Sequence, residues 1–238
     1  MRSRLDVALA ARGLVASRSQ AESYIKLGKV RVNGKILNKS SILVSDDDKL
    51  EVEQAEQYVS RAALKLASIA DKFALDFKDK VVLDAGSSTG GFTDYALRRG
   101  AKRVIAVDVG TDQLHPSLRA NERVELHEKT DIRYFKPSQS PDIILMDLSF
   151  ISLRQVLSHI VEISNKKTKI VTMVKPQFEA STKEANKGVI KNDSVRRKIL
   201  KDFEQWVKGY FIIVSKADSQ VAGEKGNIER FYQLRKSV

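Results

Sequence analysis

The sequence predicts an α/β protein with a mainly parallel sheet, preceded by a small α+β module. From Lys80 onward, short apolar runs of strand length alternate with amphipathic stretches of helical period, which is typical of a parallel sheet covered on both faces. Before residue 54 the pattern is different, because helical spacing gives way to short alternating runs separated by turn signals. A length of 238 residues suits one α/β domain plus a small second domain.

The small module is predicted to occupy residues 1–53 and to contain two helices on a small sheet. Gly13 is placed to end the first helix. Ser17 and Gln20 have the spacing of a capping box, which predicts the start of the second helix. The Asn-Gly pair at 33–34 lies between alternating residues and is a strong hairpin signal.

A polar linker over residues 54–59 and a larger domain over residues 60–238 are predicted to follow. Ser60 is the expected cap of the first helix in that domain, and Lys65 lies on the polar side of this helix, where a solvated side chain is expected. The last two of seven predicted strands should pair antiparallel, because no long helix separates them. The seven strands are Val81–Asp84, Arg103–Asp108, Val124–His127, Asp142–Asp147, Lys169–Lys175, Tyr210–Lys216 and Glu229–Leu234.

A glycine-rich turn follows the first strand of the larger domain. The spacing of Gly86, Gly90 and Gly91 is not the G-x-G-x-x-G that holds a pyrophosphate, which disfavours a dinucleotide. Asp108 lies 24 residues beyond Asp84, where an acid can accept hydrogen bonds from both ribose hydroxyls of an adenosine. A cofactor with adenosine but no phosphate, such as S-adenosylmethionine, fits this pattern. The alternative is an ordinary strand-to-helix turn in which glycines allow tight packing.

The charge of the chain favours a polyanionic partner. A net charge of +12 with a pI near 9.7 is typical of proteins that bind nucleic acid or an anionic membrane surface. The first 40 residues contain nine basic side chains and two acidic ones. The alternative is a solvated basic surface with no partner.

Composition also narrows the chemistry and the compartment. The absence of cysteine excludes disulfides, thiolate metal sites and cysteine nucleophiles, and three histidines make metal catalysis a poor fit. We therefore expect no metal. The N-terminus lacks the apolar core of a signal peptide, and the apolar runs are too short to span a bilayer. We expect a cytoplasmic protein with no membrane partner, and the oligomeric state stays open.

Three polar residues follow apolar strands at the edge where ligands of such sheets bind. They are Asp84, Asp147 and Lys175. A lysine directly after a buried strand and before Pro176 is poorly solvated, which favours the neutral amine that a general base requires. The alternative is a lysine that extends from the strand end into solvent.

The N-terminal module resembles the small RNA-binding domain named after a small-subunit ribosomal protein. The residues that carry the resemblance are Arg4–Asp6, Ser17–Ala21, Gly28 and Val30–Gly34. Flexible basic side chains at helix ends and on the hairpin can reach phosphates without reading bases. The side chains expected to bind RNA are Arg4, Arg18, Lys26, Lys29, Arg31 and Lys35.

Almost the whole chain resembles the TlyA family, whose members also carry the name hemolysin and are ribosomal RNA ribose methyltransferases with an FtsJ-like catalytic domain. The motifs are Tyr58–Leu66, Asp84–Asp94, Asp147–Ser152, Lys175–Glu179 and Gly226–Phe231. The resemblance implies a Rossmann-like seven-stranded methyltransferase sheet. It also implies a catalytic tetrad of Lys65, Asp147, Lys175 and Glu229, with Lys175 as the base.

The same resemblance implies a cofactor site for S-adenosylmethionine. Its implied members around the methionine end are Gly86, Ser87, Thr89, Gly90, Gly91 and Phe92, with Asp108 on the ribose and with Asp131 and Ile132 at the adenine. A carboxylate after the third strand can accept from the adenine amine, although a plain loop aspartate fits that position as well.

The resemblance implies an S-adenosylmethionine-dependent rRNA (cytidine-2′-O)-methyltransferase whose partner is ribosomal RNA or a ribosomal subunit. The chain ends soon after the last predicted strand, and shorter family members resemble the type that modifies only the large subunit, so the large subunit is favoured. The alternatives are a non-catalytic RNA-binding factor with a degenerate methyltransferase domain, a membrane-active hemolysin and a nicotinamide-dependent oxidoreductase.

Overall fold

The N-terminal module contains two helices and two small sheets. A computed structural model describes residues 2–15, 17–53, 58–180, 189–190, 192–221, 223 and 226–237, so most of the predicted linker lies outside the described residues. The elements of the module are β1 (Arg2–Arg4), α1 (Leu5–Ala11), α2 (Arg18–Lys26), β2 (Val30–Val32), β3 (Lys35–Ile36), β4 (Leu43–Ser45) and β5 (Leu50–Val52).

The local signals of the module are confirmed, but its sheet differs from the prediction. Ser17 Oγ accepts a hydrogen bond from Gln20 N at 3.2 Å at the start of α2. Asn33 and Gly34 both have positive φ, at 50° and 79°, as the tight hairpin between β2 and β3 requires. The strands form two sheets instead of one, because β1 pairs with β4 while β3, β2 and β5 form a separate three-stranded sheet. No periodic pattern marks a strand as short as β1.

The larger domain is a seven-stranded sheet with helices on both faces. Its helices are α3 (Ala62–Ala70), α4 (Gly91–Arg98), α5 (Pro116–Arg119), α6 (Arg154–Ile163), α7 (Pro176–Glu179) and α8 (Asp193–Val207). Its strands are β6 (Val81–Ala85), β7 (Arg103–Val107), β8 (Val124–His127), β9 (Ile143–Met146), β10 (Lys169–Val174), β11 (Phe211–Asp218) and β12 (Arg230–Lys236).

The strand order is β11-β12-β10-β9-β6-β7-β8, and β12 runs antiparallel to both of its neighbours. The remaining pairs are parallel, which confirms the predicted α/β methyltransferase sheet with its antiparallel end. One apolar cluster, with Phe73 and Phe92, and a second cluster, with Ile160 and Phe203, contain the buried strand side chains between them. Burial on both faces explains why the central strands read as continuous apolar runs.

The first helix of this domain begins later than predicted. Ser60 is not its cap, because α3 begins at Ala62 with Arg61 as the flanking residue, and Ser60 Oγ instead accepts a hydrogen bond from Ala62 N at 3.3 Å. α3 crosses α4 closely at Gly91, where a Cβ atom would overlap Ser60 Oγ. Glycine is therefore needed here for close approach of two helices. None of the described helices has the length and apolarity needed to cross a membrane.

Candidate active site

A cavity of about 650 Å³ opens at the carboxyl ends of β6, β9 and β10. Ligands of open α/β sheets bind at this edge, because the strand ends leave a crevice between the helices of the two faces. All four residues of the implied tetrad line the cavity, together with Asp84 and most of the glycine-rich turn. The tetrad residues come from four separate parts of the chain, so the fold alone brings them together.

Lys175 and Asp147 form the first ion pair of the cavity. Lys175 Nζ lies 2.6 Å from Asp147 Oδ1, and both side chains are mostly buried. The hydrogen bond from Lys175 Nζ goes to Ser149 Oγ at 2.7 Å. The amine is thus held between two groups at the strand ends.

Lys65 and Glu229 form the second ion pair. Lys65 Nζ donates to Glu229 Oε1 at 2.9 Å, and the two side chains are 12% and 3% exposed. The expectation of a solvated Lys65 is therefore wrong. The polar side of α3, which carries Lys65, faces the start of β12 and not water. Local pattern could not show this, because Glu229 is 164 residues away in sequence. Glu229 Oε2 is buried and has no partner among the described residues, so it can accept a hydrogen bond from a molecule in the cavity.

Asp84 is a buried acid at the end of β6. It is 1% exposed, and Thr93 Oγ1 donates a hydrogen bond to Asp84 Oδ2 at 2.6 Å. Burial raises the pKa of Asp84 to about 7, against the hydrogen bond from Thr93, which lowers it. Asp84 Oδ1 has no partner among the described residues and lies at the cavity, where a cationic or hydrogen-bonding group would satisfy it.

The glycine-rich turn has the shape of a cradle for a small ligand. Gly86 has a φ of +82°, and a Cβ atom there would lie 2.9 Å from the carbonyl oxygen of Asp147. Gly90 also has positive φ, and a Cβ atom there would overlap Leu118. Ser87 Oγ is buried and has no partner in the part of the chain that the structure describes. These features fit the amino acid end of S-adenosylmethionine. Asp84 offers an acceptor oxygen, Ser87 offers a hydroxyl, and the glycines offer backbone that no side chain covers.

The predicted cofactor residues fall into two groups. Among the described residues, the cavity is lined by Gly86, Ser87, Thr89, Gly91 and Phe92, whereas Gly90, Asp108, Asp131 and Ile132 do not line it.

Asp108 is hydrogen-bonded to the glycine-rich turn and to the loop that follows β7. Its carboxylate accepts from the backbone N–H groups of Ser88 at 2.8 Å and Gly110 at 2.7 Å. Asp131 accepts from the Arg133 guanidinium at 2.6 Å, and that hydrogen bond holds the pKa of Asp131 below its ordinary value. Ile132 is 5% exposed and packs in the second apolar cluster. Their contact with adenosine stays a prediction.

The basic residues expected to bind RNA differ in whether their side chains are paired with other groups of the protein. Arg4 and Arg18 both donate to the buried carboxylate of Asp6, at 2.9 and 2.6 Å. Burial acts to raise the pKa of Asp6, but the two guanidinium hydrogen bonds outweigh it and the pKa is lowered. The Arg18 guanidinium thus helps to hold α2 against α1, whereas Arg4 bonds Asp6 from the residue directly before α1, and about half of each arginine side chain is exposed.

The other four basic residues lie at the surface of the module. Lys29 pairs with Glu53 at 3.2 Å, and Arg31 donates to the carbonyl of Gly34 at 3.3 Å. Lys26 and Lys35 are exposed.

Sequence reasoning missed an aromatic side chain at the mouth of the cavity. Phe150 is 91% exposed and has a φ of +65°, a conformation that a bulky residue adopts rarely. Its ring lies 5.3 Å from that of Phe178, and both line the cavity. The sequence did contain a signal, because Phe150 follows Asp147 by three positions in a loop. An apolar ring in such a loop gains nothing from exposure to water unless it contacts a ligand.

Comparison with known proteins agrees with this architecture. Residues 58–236 match the FtsJ-like methyltransferase family, and residues 3–50 match the S4 domain. A solved structure of a hemolysin-named protein from Streptococcus thermophilus superimposes with a TM-score of 0.73 at 35% sequence identity. That superposition covers 99% of this chain and 88% of the other.

Two curated relatives extend over most of the chain. The 23S rRNA (cytidine-2′-O)-methyltransferase TlyA of Campylobacter jejuni is 42% identical over 204 residues, covering 84% of this chain and 79% of that protein. The 16S/23S rRNA (cytidine-2′-O)-methyltransferase TlyA of Mycobacterium tuberculosis is 39% identical over 242 residues, covering 98% and 90%. The chain therefore belongs to the TlyA family of S-adenosylmethionine-dependent methyltransferases, in which an S4 domain precedes an FtsJ-like domain.

Proposed function

We propose that this protein methylates the 2′-hydroxyl of a cytidine in ribosomal RNA, with Lys175 as the general base. The observation that carries the proposal is the pair of ion pairs, Lys175 with Asp147 and Lys65 with Glu229, that line one cavity beside the glycine-rich turn. No residue of the tetrad is replaced by one that lacks the required functional group, which argues against a degenerate enzyme.

The cofactor would occupy the part of the cavity formed by the glycine-rich turn. Gly86, Ser87 and Thr89 would contact its amino acid end, and the open oxygen of Asp84 would accept from its ammonium group. When bound, S-adenosylmethionine supplies a methyl group on a positively charged sulfur, which is already activated for transfer. We propose that Asp108 contacts the ribose and that Asp131 and Ile132 contact the adenine.

The protein's own task is to remove a proton and hold the acceptor. A ribose hydroxyl is a poor nucleophile until it loses its proton, and Lys175 Nζ, once it has given up its own proton and is a neutral amine, would accept that proton as the oxygen attacks the methyl group. Ser149 and Asp147 fix the position of Nζ, at 2.7 and 2.6 Å. A rigidly held base lowers the barrier because less orientational freedom is lost in the reaction.

Lys65 and Glu229 would orient the ribose. The unpartnered Oε2 of Glu229 is an acceptor for a sugar hydroxyl, and the Lys65 ammonium balances the buried charge of Glu229. Because neither charge is exposed, loss of one partner would leave the other charge buried and unpaired.

Phe150 would stack on the base of the acceptor nucleotide. An exposed ring beside a second aromatic ring offers a π face that any base can cover, and stacking of this kind contributes about 1–3 kcal/mol per base. A base stacked on Phe150 would have left the RNA helix, because the neighbouring bases cover both faces of a base inside a duplex.

The N-terminal module would dock on folded RNA through phosphates. The side chains that we propose for this role are Arg4, Arg18, Lys26, Lys29, Arg31 and Lys35. The S4 match and the net charge of +12 support the proposal. We propose the large subunit as the substrate, in line with the Campylobacter jejuni relative named for 23S rRNA, and such a substrate places the action of the protein in the cytoplasm.

The test is transfer of labelled methyl from S-adenosylmethionine to unmodified large subunits, small subunits and free rRNA. Label in the large subunit alone is the expected result, and label in both subunits would overturn the narrower specificity. A protein that binds RNA but neither binds the cofactor nor transfers methyl would be a non-catalytic RNA-binding factor instead.

A further inference from the structure

The loop between β11 and β12 inserts into the core of the N-terminal module. Val221 in this loop is 1% exposed and belongs to the apolar cluster of the module, which includes Leu5, Leu9 and Ile25. Leu64 of α3 belongs to the same cluster and is 4% exposed. Two side chains of the methyltransferase domain thus complete the core of the other domain.

Both insertions lie next to the Lys65–Glu229 pair. Leu64 directly precedes Lys65, so the side chain that anchors α3 in the module neighbours the one that enters the active site. Val221 is tied to Glu229 through Ser219, whose N–H donates to the carbonyl of Glu229 at 2.9 Å. Ser219 Oγ in turn donates to the carbonyl of Val221 at 2.7 Å and accepts from its N–H at 3.2 Å.

Gly223 of the same loop lies against the carboxylate of Glu229. Gly223 N donates to the carbonyl of Asn227 at 2.9 Å, and a Cβ atom on Gly223 would overlap Glu229 Oε1. A smaller cavity of about 170 Å³ is lined by Gly223 and by Lys26 of α2, and Gly223 lines the active-site cavity as well. The loop therefore touches the module on one side and the buried acid on the other.

We infer that Val221 is a positioning residue, through which the N-terminal module holds Glu229 and Lys65 in the geometry for methyl transfer. This inference rests on the proposed function. In this account the module completes the active site and is more than a tether for RNA. Because protein interiors are closely packed, a change in how the Val221 side chain packs in the core of the module shifts the loop that carries it.

The test compares Val221→Ala with a matched control in the same core, Val44→Ala, in the full-length protein. Val44 is 2% exposed and belongs to the same cluster, but it lies on β4. At a temperature well below both unfolding transitions, Val221→Ala should lower kcat roughly tenfold or more, since small misplacement of reacting groups is costly. The KM for RNA and the Kd for S-adenosylmethionine should change by less than about twofold. Val44→Ala should keep kcat.

A double variant tests whether Val221 acts through Glu229. In a Glu229→Gln background, Val221→Ala should have little further effect on kcat, because the group that it positions is already lost. Full additivity of the two losses, or an equal loss of kcat in Val44→Ala, would overturn the inference.

A readout without methyl transfer separates this inference from the proposed function. Acetic anhydride labelling followed by mass spectrometry reports the reactivity of Lys65, which is 12% exposed and paired in the intact protein. Val221→Ala should increase labelling of Lys65 several-fold relative to Val44→Ala, because an amine released from a buried ion pair is more accessible and more readily loses its proton. A wild-type protein that transfers no methyl would defeat the proposed function alone, whereas unchanged labelling of Lys65 would defeat the positioning role.

Discussion

The buried carboxyl of Asp84 makes a strong prediction about stability and pH. Its pKa is raised from 3.8 to about 7 by burial, so charging it in the folded protein is unfavourable. Between these two values the folded protein binds a proton that the unfolded chain has lost, and stability therefore falls as pH rises through this window. From pH 5 to pH 7, two units at 1.36 kcal/mol each give a loss of roughly 3 kcal/mol from this group.

The perturbation is Asp84→Asn, which keeps an oxygen for the hydrogen bond from Thr93 and removes the charge. The free energy of unfolding of Asp84→Asn minus that of the unmodified protein should be roughly 3 kcal/mol larger at pH 8 than at pH 5. Urea unfolding of the cofactor-free protein at the two pH values measures this difference. Thr93→Val is the matched variant with the opposite sign, because it removes a hydrogen bond that favours the charged form. A stability difference for Asp84→Asn that is the same at both pH values would refute the reasoning.

Three further predictions concern binding. Gly86→Ala should abolish the S-adenosylmethionine binding that calorimetry measures, because its Cβ would lie 2.9 Å from a carbonyl oxygen and its φ is +82°. The control is Gly100→Ala, which has a φ of +89° but lies outside the cavity; this variant should lose stability but still bind the cofactor. Phe150→Ala should lower kcat/KM for RNA by about tenfold or more while Phe150→Trp retains activity, since stacking contributes about 1–3 kcal/mol; equal activity of both variants would remove the stacking role. Lys35→Gln should reduce the slope of log affinity against log salt by about one, and exposed Lys201→Gln, on α8, should leave the slope unchanged.

The sequence was a good guide to the sheet and to one half of the site. The apolar strands, the antiparallel end and the polar residues after them, Asp84, Asp147 and Lys175, all follow from local pattern. These features are local because a buried strand needs a continuous apolar run and the carboxyl ends of parallel strands meet at one edge.

The other half of the site depends on contacts between distant parts of the chain. Local periodicity placed Lys65 on a solvated face, and only the fold brings Glu229, 164 residues away, against it. The positive φ of Phe150 also has no local signature, since glycine or asparagine is usual in that conformation.

The central claim is that this cavity transfers a methyl group to a ribose oxygen with Lys175 as the base. The most direct measurement is mass spectrometry of nucleosides from rRNA incubated with S-adenosylmethionine and either the unmodified protein or Lys175→Ala. We expect 2′-O-methylcytidine with the unmodified protein and none with Lys175→Ala, although that variant still binds the cofactor and RNA. A methyl group on a base, or undiminished 2′-O-methylcytidine with Lys175→Ala, would contradict it.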